Sequence, residues 1–138
     1  MTKPKIKFGQ IPIPVEYGPQ FHKIYHVIRN DRLIVLEKFR DLDDSTKAKI
    51  KNLISNMATI KNYYRSPDII YSIHGYKYGE LRPLPHRFFF FRKCGNNYIF
   101  FAYTEKKKNS LPNRFYQDLD RKRIEYEEEF KKFIERSK

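Results

Sequence analysis

The chain has 138 residues, of which 40% are hydrophobic and 17% aromatic, and a formal net charge of +13. This composition excludes a disordered chain and predicts one domain with an apolar core. The single cysteine, Cys94, excludes an internal disulfide and a thiolate zinc cluster, and it suits a reducing compartment. The charge favours a polyanionic partner, usually nucleic acid, with an acidic protein as the alternative.

Residues 1–20 contain four prolines and two glycines, which predicts an extended arm rather than a helix or a central strand. The first residues lack the apolar segment of a secretory signal, and no segment is long enough to span a bilayer. We therefore expect a cytoplasmic protein. The stretch FHKIYHVI, residues 21–28, alternates at period two and predicts the first strand.

Two helices are predicted next. Leu36, Phe39 and Leu42 have helical spacing, and the acidic turn 43–45 has the composition of a helix N-cap. The second helix carries an apolar stripe, which consists of Ile50, Leu53, Ile54 and Met57. Two helices joined by so short a turn form a hairpin.

Three strands are predicted at residues 78–82, 87–93 and 98–105. The sequence CGNN, residues 94–97, predicts a tight turn between the last two strands, because Gly and Asn tolerate positive φ. Pro112 opens a last helix with an aromatic face. The predicted order is β-α-α-β-β-β-α, which is an α+β fold.

Basic residues concentrate between residues 77 and 114, where nine lysines or arginines stand against two glutamates. The sequence has no H-E-x-x-H motif and no dense carboxylate cluster, so we expect no metal cofactor. A polyanion site is therefore predicted in the segment that holds the three strands.

The ordered set VLEKFRDLDDSTKAKIKNLI (35–54), YGELR (78–82) and HRFFFFRKCGNNYIFFAYTEKKKNSLP (86–112), with the helix after it, resembles the RelE/ParE superfamily of bacterial toxins. It is most similar to the HigB-like, phage-associated branch. The resemblance covers about residues 21–136, so residues 21–138 would form the toxin domain. It implies a curved, mostly antiparallel sheet with the helix hairpin on one face, a concave basic second face, and a C-terminal helix.

The resemblance also implies an activity and its partners. Such toxins are ribosome-dependent, metal-independent endoribonucleases that cut mRNA and are held inactive by a cognate antitoxin. No small-molecule cofactor and no membrane partner are expected. Two alternatives stay open: an inhibitor of DNA gyrase of the ParE type, and an RNA-binding module without catalysis.

Arg87 aligns with the arginine that stabilises the transition state in this superfamily. By strand alternation it shares a face with Phe89 and Phe91, so Phe89 is a candidate for stacking on a base. The alternative is that the last helix or the arm covers both rings. Arg82 ends the E-L-R strand and is predicted to clamp phosphate; its alternative is a salt bridge with a nearby glutamate, Glu80 or Glu105.

His86 is a candidate proton shuttle, because the pKa of histidine lies near neutrality; the alternative is a turn residue. The resemblance places a cationic loop at Lys106, Lys107 and Lys108. Lys106 and Lys107 are predicted to be catalytic, since neighbouring cations lower the pKa of a lysine, and Lys108 to contact RNA. A solvated charge run is the alternative.

Three further residues are candidates for RNA contact: Lys77, Tyr103 and Tyr116. Some relatives stack a C-terminal tyrosine on the substrate base, which suggests Tyr116, whereas either tyrosine could instead belong to the core. Well-understood relatives carry extra lysines in the E-L-R strand, where this chain has Tyr78 and Glu80. The general base is therefore left unassigned by the sequence.

Overall fold

The computed structural model describes residues 2–106 and 111–137. The described chain has an α+β fold, which confirms the predicted class. Its elements in chain order are β1 (Ile6–Gln10), β2 (Lys23–Arg29), β3 (Arg32–Leu33), α1 (Leu36–Arg40), α2 (Asp44–Thr59), β4 (Ile69–Ile70), β5 (Gly79–Leu81), β6 (His86–Lys93), β7 (Asn97–Glu105) and α3 (Asn113–Arg136). A single 3-10 turn, Val15–Tyr17, lies between β1 and β2 in the described chain.

The strands form one open sheet in the order β1-β2-β7-β6-β5-β4, with the short β3 paired to β2. Only β2 and β7 run parallel among the described pairs; the other pairs are antiparallel. The prediction of a mostly antiparallel sheet is therefore confirmed. The turn at residues 94–97 connects β6 to β7 as predicted, with Cys94 and Gly95 at positive φ.

Part of the predicted N-terminal arm belongs to the sheet. Residues 6–10 pair with β2 in the register Phe8↔Val27, and β1 is the edge strand. An edge position suits this segment, because Pro4 and Pro12 flank it. Proline has no backbone N–H to donate, so it is tolerated at an edge strand and not in the middle of a sheet. The ring of Phe8 lies 5.0 Å from that of Phe130 in α3, so the segment also contributes to the core.

The helix hairpin forms largely as predicted. The carboxylate of Asp43 accepts a 2.7 Å hydrogen bond from the Thr46 N–H and caps α2. The first helix is predicted from Leu33 to Leu42, but it begins at Leu36, because Arg32 and Leu33 pair with β2 instead. Ile50, Leu53 and Met57 are buried as expected.

Helices cover both faces of the sheet. Successive residues of β6 point to opposite faces, so Phe88 and Phe90 pack beneath α1 and α2. Phe89 and Phe91 pack with α3 residues such as Tyr126 and Phe130 on the other face. The resemblance implied that this second face is concave and basic, whereas the apolar side of α3 packs on it. The reason is the aromatic face of α3, which needs an apolar surface to bury.

Gly79 lets β4 approach β5 closely. A Cβ at this position would lie 2.2 Å from the carbonyl oxygen of Ile70 and 2.9 Å from the Cα of Tyr71. Both are backbone atoms, so β4 would have to move. We expect Gly79→Ala to lower the free energy of unfolding by about 1–3 kcal/mol in urea denaturation. The exposed substitution Asn62→Ala is the control, and an unchanged midpoint for Gly79→Ala would contradict the close approach.

Candidate functional site

The candidate site lies where β5 ends and β6 begins, beside the first turn of α3. The two strands pair as Gly79↔Phe90, Glu80↔Phe89 and Leu81↔Phe88. Continued by one residue, this register sets Arg82 opposite Arg87. Glu80 and Arg82 are two residues apart and share one face of their strand, so all three charged side chains converge.

Glu80 stands between the two arginines. Its Oε1 lies 3.0 Å from Nε of Arg82, and its Oε2 lies 3.9 Å from Nε of Arg87. Neither Nε has a hydrogen-bond partner among the described residues. The Nε of Arg82 is near enough to Glu80 but is not aligned for a hydrogen bond, and the Nε of Arg87 is too far away. The salt bridge considered as the alternative for Arg82 is thus formed with Glu80. Two guanidiniums share one carboxylate, which leaves the cluster with an excess positive charge.

The cluster is largely buried. The exposed fraction is 4% for Arg87 and 6% for Glu80, while the side chain of Arg82 is 27% exposed. Arg82 also lines a pocket of about 300 Å³ with Lys49 and Asp68. Solvent therefore reaches the cluster from the Arg82 side.

Burial changes the acid–base behaviour of Glu80. It raises the pKa of the Glu80 carboxyl, and the positive charges of Arg82, Arg87, Lys106 and His74 oppose this shift. Burial likewise lowers the pKa of Arg87, against the attraction of Glu80. A carboxyl whose pKa is raised by burial holds a proton more readily than an exposed one, which suits it to accept and return a proton.

Four of the predicted site residues gather here: Arg82, Arg87, Lys106 and Tyr116. The backbone N–H of Lys106 donates to the Pro85 carbonyl at 2.8 Å, which holds the end of β7 at the turn before β6. The charges of Glu80, Arg87 and Arg82 act on the Tyr116 hydroxyl. Burial raises the pKa of Tyr116, and Glu80 adds to this increase.

Sequence reasoning missed two members of the cluster as functional candidates. Glu80 was weighed only as a salt-bridge partner, although its i, i+2 relation to Arg82 was a signal that both share a face. The ring of His74 lies 4.8 Å from that of Tyr116, and its φ is 48°. His74 comes from the loop before β5, and nothing in the sequence marks this approach.

His86 and Tyr103 lie elsewhere. Nδ1 of His86 is 2.8 Å from the Tyr103 hydroxyl, and the Tyr103 ring packs 4.9 Å from Phe88 on the α2 side of the sheet. Because neighbouring residues of a strand face opposite ways, His86 points away from Arg87. The structure does not bring these two predicted site residues to the arginines.

Phe89 and Lys77 do not offer a side chain to a ligand at the cluster. Phe89 has no exposed surface and packs 5.9 Å from Phe115, so it is a core ring with no face open to a base, as the alternative anticipated. Lys77 lies beyond the other end of β5. Lys107 and Lys108 lie outside the described residues.

Within residues 2–106 and 111–137, no three His, Cys, Asp or Glu side chains lie close enough together to hold a metal ion. No helix in that part of the chain combines the length and apolar character needed to cross a membrane. No protein-family model and no curated protein matches the sequence.

Proposed function

We propose that the chain is the toxin of a type II toxin–antitoxin pair, with the HigB-like type of RelE fold, and that it cleaves translated mRNA. The observation that carries this proposal is the cluster in which Arg82 and Arg87 share the buried carboxylate of Glu80. A surplus guanidinium charge where β5 ends and β6 begins is suited to bind phosphate. The helix hairpin on a mostly antiparallel sheet and the net charge of +13 also support it.

The proposed reaction uses only side chains of the cluster. Glu80 accepts the proton of the ribose 2′-hydroxyl, whose oxygen then bonds to the adjacent phosphorus. Arg82 and Arg87 stabilise the negative charge that develops on the phosphoryl oxygens. The bond from phosphorus to the 5′ oxygen breaks, and Lys106 donates a proton to that oxygen. This assigns to Glu80 the role of general base.

The second candidate function is an RNA-binding module without catalysis. The low exposure of Glu80 and Arg87 favours it, because a buried ion pair often serves the fold alone. In either function the basic surface would receive an acidic partner protein, which in a toxin is the cognate antitoxin.

Induced expression of the chain in a bacterium, with primer-extension mapping of cellular mRNA, tests the proposal. We expect growth arrest and new 5′ ends within translated codons. Growth arrest with intact mRNA would contradict the nuclease and indicate an inhibitor of the DNA gyrase type. RNA binding without growth arrest and without mRNA cuts would contradict the nuclease and favour the non-catalytic RNA-binding module.

The pH dependence of cleavage follows from Glu80. As a base it works only when deprotonated, so the rate should rise with pH through a pKa above the ordinary 4.5. We expect Glu80→Gln to remove this rise and to slow cleavage about 10²- to 10⁴-fold. Single-turnover cleavage of a labelled mRNA on ribosomes across pH values measures both. An unchanged profile in Glu80→Gln would contradict the assignment.

The same shift affects stability in the opposite sense. Because the folded chain binds the Glu80 proton more tightly than the unfolded chain does, this group's contribution to stability falls as pH rises from 4.5 through the raised pKa. Thermal melts of Glu80→Gln over that range therefore separate a lost base from a lost fold. A variant that is folded but inactive supports the catalytic role.

A further inference from the structure

A second cationic region lies at the other end of β6 from Arg87. It is a cleft of about 400 Å³ lined by residues of the loops before and after β4, by the start of β5 and by the end of β6. Arg87 and Arg92 are five residues apart, so the strand separates them by about 17 Å. The Arg92 guanidinium lies over the Tyr98 ring, 5.8 Å from its centroid. Tyr98 belongs to the core beneath α1 and α2. The cleft is therefore distinct from the Glu80 cluster in position.

The charges of the cleft have one sign. Lys61, Lys77 and Arg92 line it, and no aspartate or glutamate of the described chain does. None of the three forms a salt bridge with a described residue. The Arg92 guanidinium donates instead to the Gly95 carbonyl and the Asn96 side chain. Three cations without a carboxylate favour an anionic ligand.

The walls of the cleft are aromatic. Six tyrosines line it, and Tyr64 is 77% exposed. Its ring is supported edge-on by Tyr71 at 5.6 Å, while Tyr76 stacks on Tyr78 at 5.3 Å. An exposed ring held by a neighbouring ring offers a face on which a base can stack at low entropic cost.

We propose that this cleft binds single-stranded nucleic acid, with a base on Tyr64 and the backbone phosphates beside Lys61, Lys77 and Arg92. An exposed aromatic ring beside cations that have no carboxylate partner is the chemistry that recognises a nucleotide strand. An acidic peptide would satisfy the charges but would leave the tyrosine faces without a partner. The binding needs no cleavage and stands independently of the function proposed for Glu80.

Fluorescence anisotropy with a labelled 2′-O-methyl octanucleotide tests the cleft, because such a strand lacks the 2′-hydroxyl needed for its own cleavage. We expect Tyr64→Ala to weaken binding about 5- to 150-fold, the value of one base stack. Tyr64→Phe keeps the ring and should bind as the wild type does. Equal affinities of Tyr64→Ala and Tyr64→Phe would overturn the proposal.

The charges have their own matched control. We expect Lys61→Ala/Lys77→Ala to lower the slope of log affinity against log salt by about 1.4, as for two phosphate contacts on a single strand. Lys122→Ala/Lys131→Ala removes two exposed lysines of α3 and should keep the slope. An equal change of the slope in both double variants would mean that the strand binds the basic surface nonspecifically, which would contradict the proposed cleft.

Two competitors distinguish the source of the anion. A strand-binding cleft should release the labelled oligonucleotide to unlabelled oligonucleotide, and not to equal phosphate concentrations of a nucleoside monophosphate or to a polyglutamate peptide. Displacement by the monophosphate would replace the strand with a mononucleotide, and displacement by polyglutamate would replace it with an acidic protein. If the protein cleaves mRNA but does not bind the oligonucleotide at the cleft, only this inference is overturned. If it binds the oligonucleotide at the cleft but does not cleave mRNA, only the proposed nuclease is overturned.

Discussion

Replacing both arginines of the cluster, Arg82→Ala/Arg87→Ala, is expected to slow mRNA cleavage at least about 100-fold and to relieve growth arrest. The reason is that each guanidinium supplies a donor to the developing phosphoryl charge, and one such donor is typically worth about 10²- to 10³-fold in rate. Primer extension on cellular mRNA and single-turnover cleavage on ribosomes measure the effect. Full toxicity of the variant would show that the chemistry lies elsewhere.

Loss of activity must be separated from loss of the fold, because removing both arginines leaves the Glu80 carboxylate buried without a partner. Thermal melts of the double variant provide this separation. If it fails to fold, Arg82→Ala provides the test, since that side chain is 27% exposed. Arg121→Ala/Arg136→Ala is the matched control, as both residues are exposed on α3 and should leave cleavage unchanged.

The second large effect is expected from Phe90→Ala, which should lower the free energy of unfolding by about 3–5 kcal/mol. Phe90 is 2% exposed, and its ring packs 5.4 Å from Phe100 and 5.7 Å from both Tyr71 and Tyr98. These neighbouring rings come from β7 and from the loop after β4, so the cavity cannot close without moving the sheet. Urea denaturation monitored by circular dichroism measures the loss.

The matched control for this change is Phe21→Ala, which removes the same ring from a position that is 53% exposed. We expect Phe21→Ala to lower the free energy of unfolding less than Phe90→Ala does, because folding removes less apolar area of Phe21 from water. Equal losses for the two variants would mean that the core beneath α1 and α2 is not packed as described.

The pattern of β6 was readable before any tertiary structure. Four consecutive phenylalanines with apolar character on both faces predicted a strand covered on two sides or bearing ligand on one. Alternation alone also separates Phe88 and Phe90 from Phe89 and Phe91. What covers the second face depends on where α3 packs. The sequence of β6 does not indicate this, because α3 begins more than twenty residues after Phe91.

The candidate site divides in the same way. Arg87 was predicted from the resemblance, and Arg82 from its position at the end of the E-L-R strand. The position of Lys77 in a separate cleft depends on how the loops around β4 pack. β4 has only two residues, too few for a periodic pattern, and it is held by pairing with β5. The approach of His74 to Tyr116 likewise depends on this long-range pairing.

The sequence by itself determined the class of the fold, the caps, the turn at residues 94–97 and the order of the long elements. These features depend on local backbone preference and on hydrophobic period, which a single segment contains. Only the tertiary structure decided that β1 joins the sheet edge, that α3 covers Phe89, and that Glu80 stands between two arginines. Each of these depends on contacts between segments distant in the chain, and the free energy of such contacts comes from packing that no segment encodes alone.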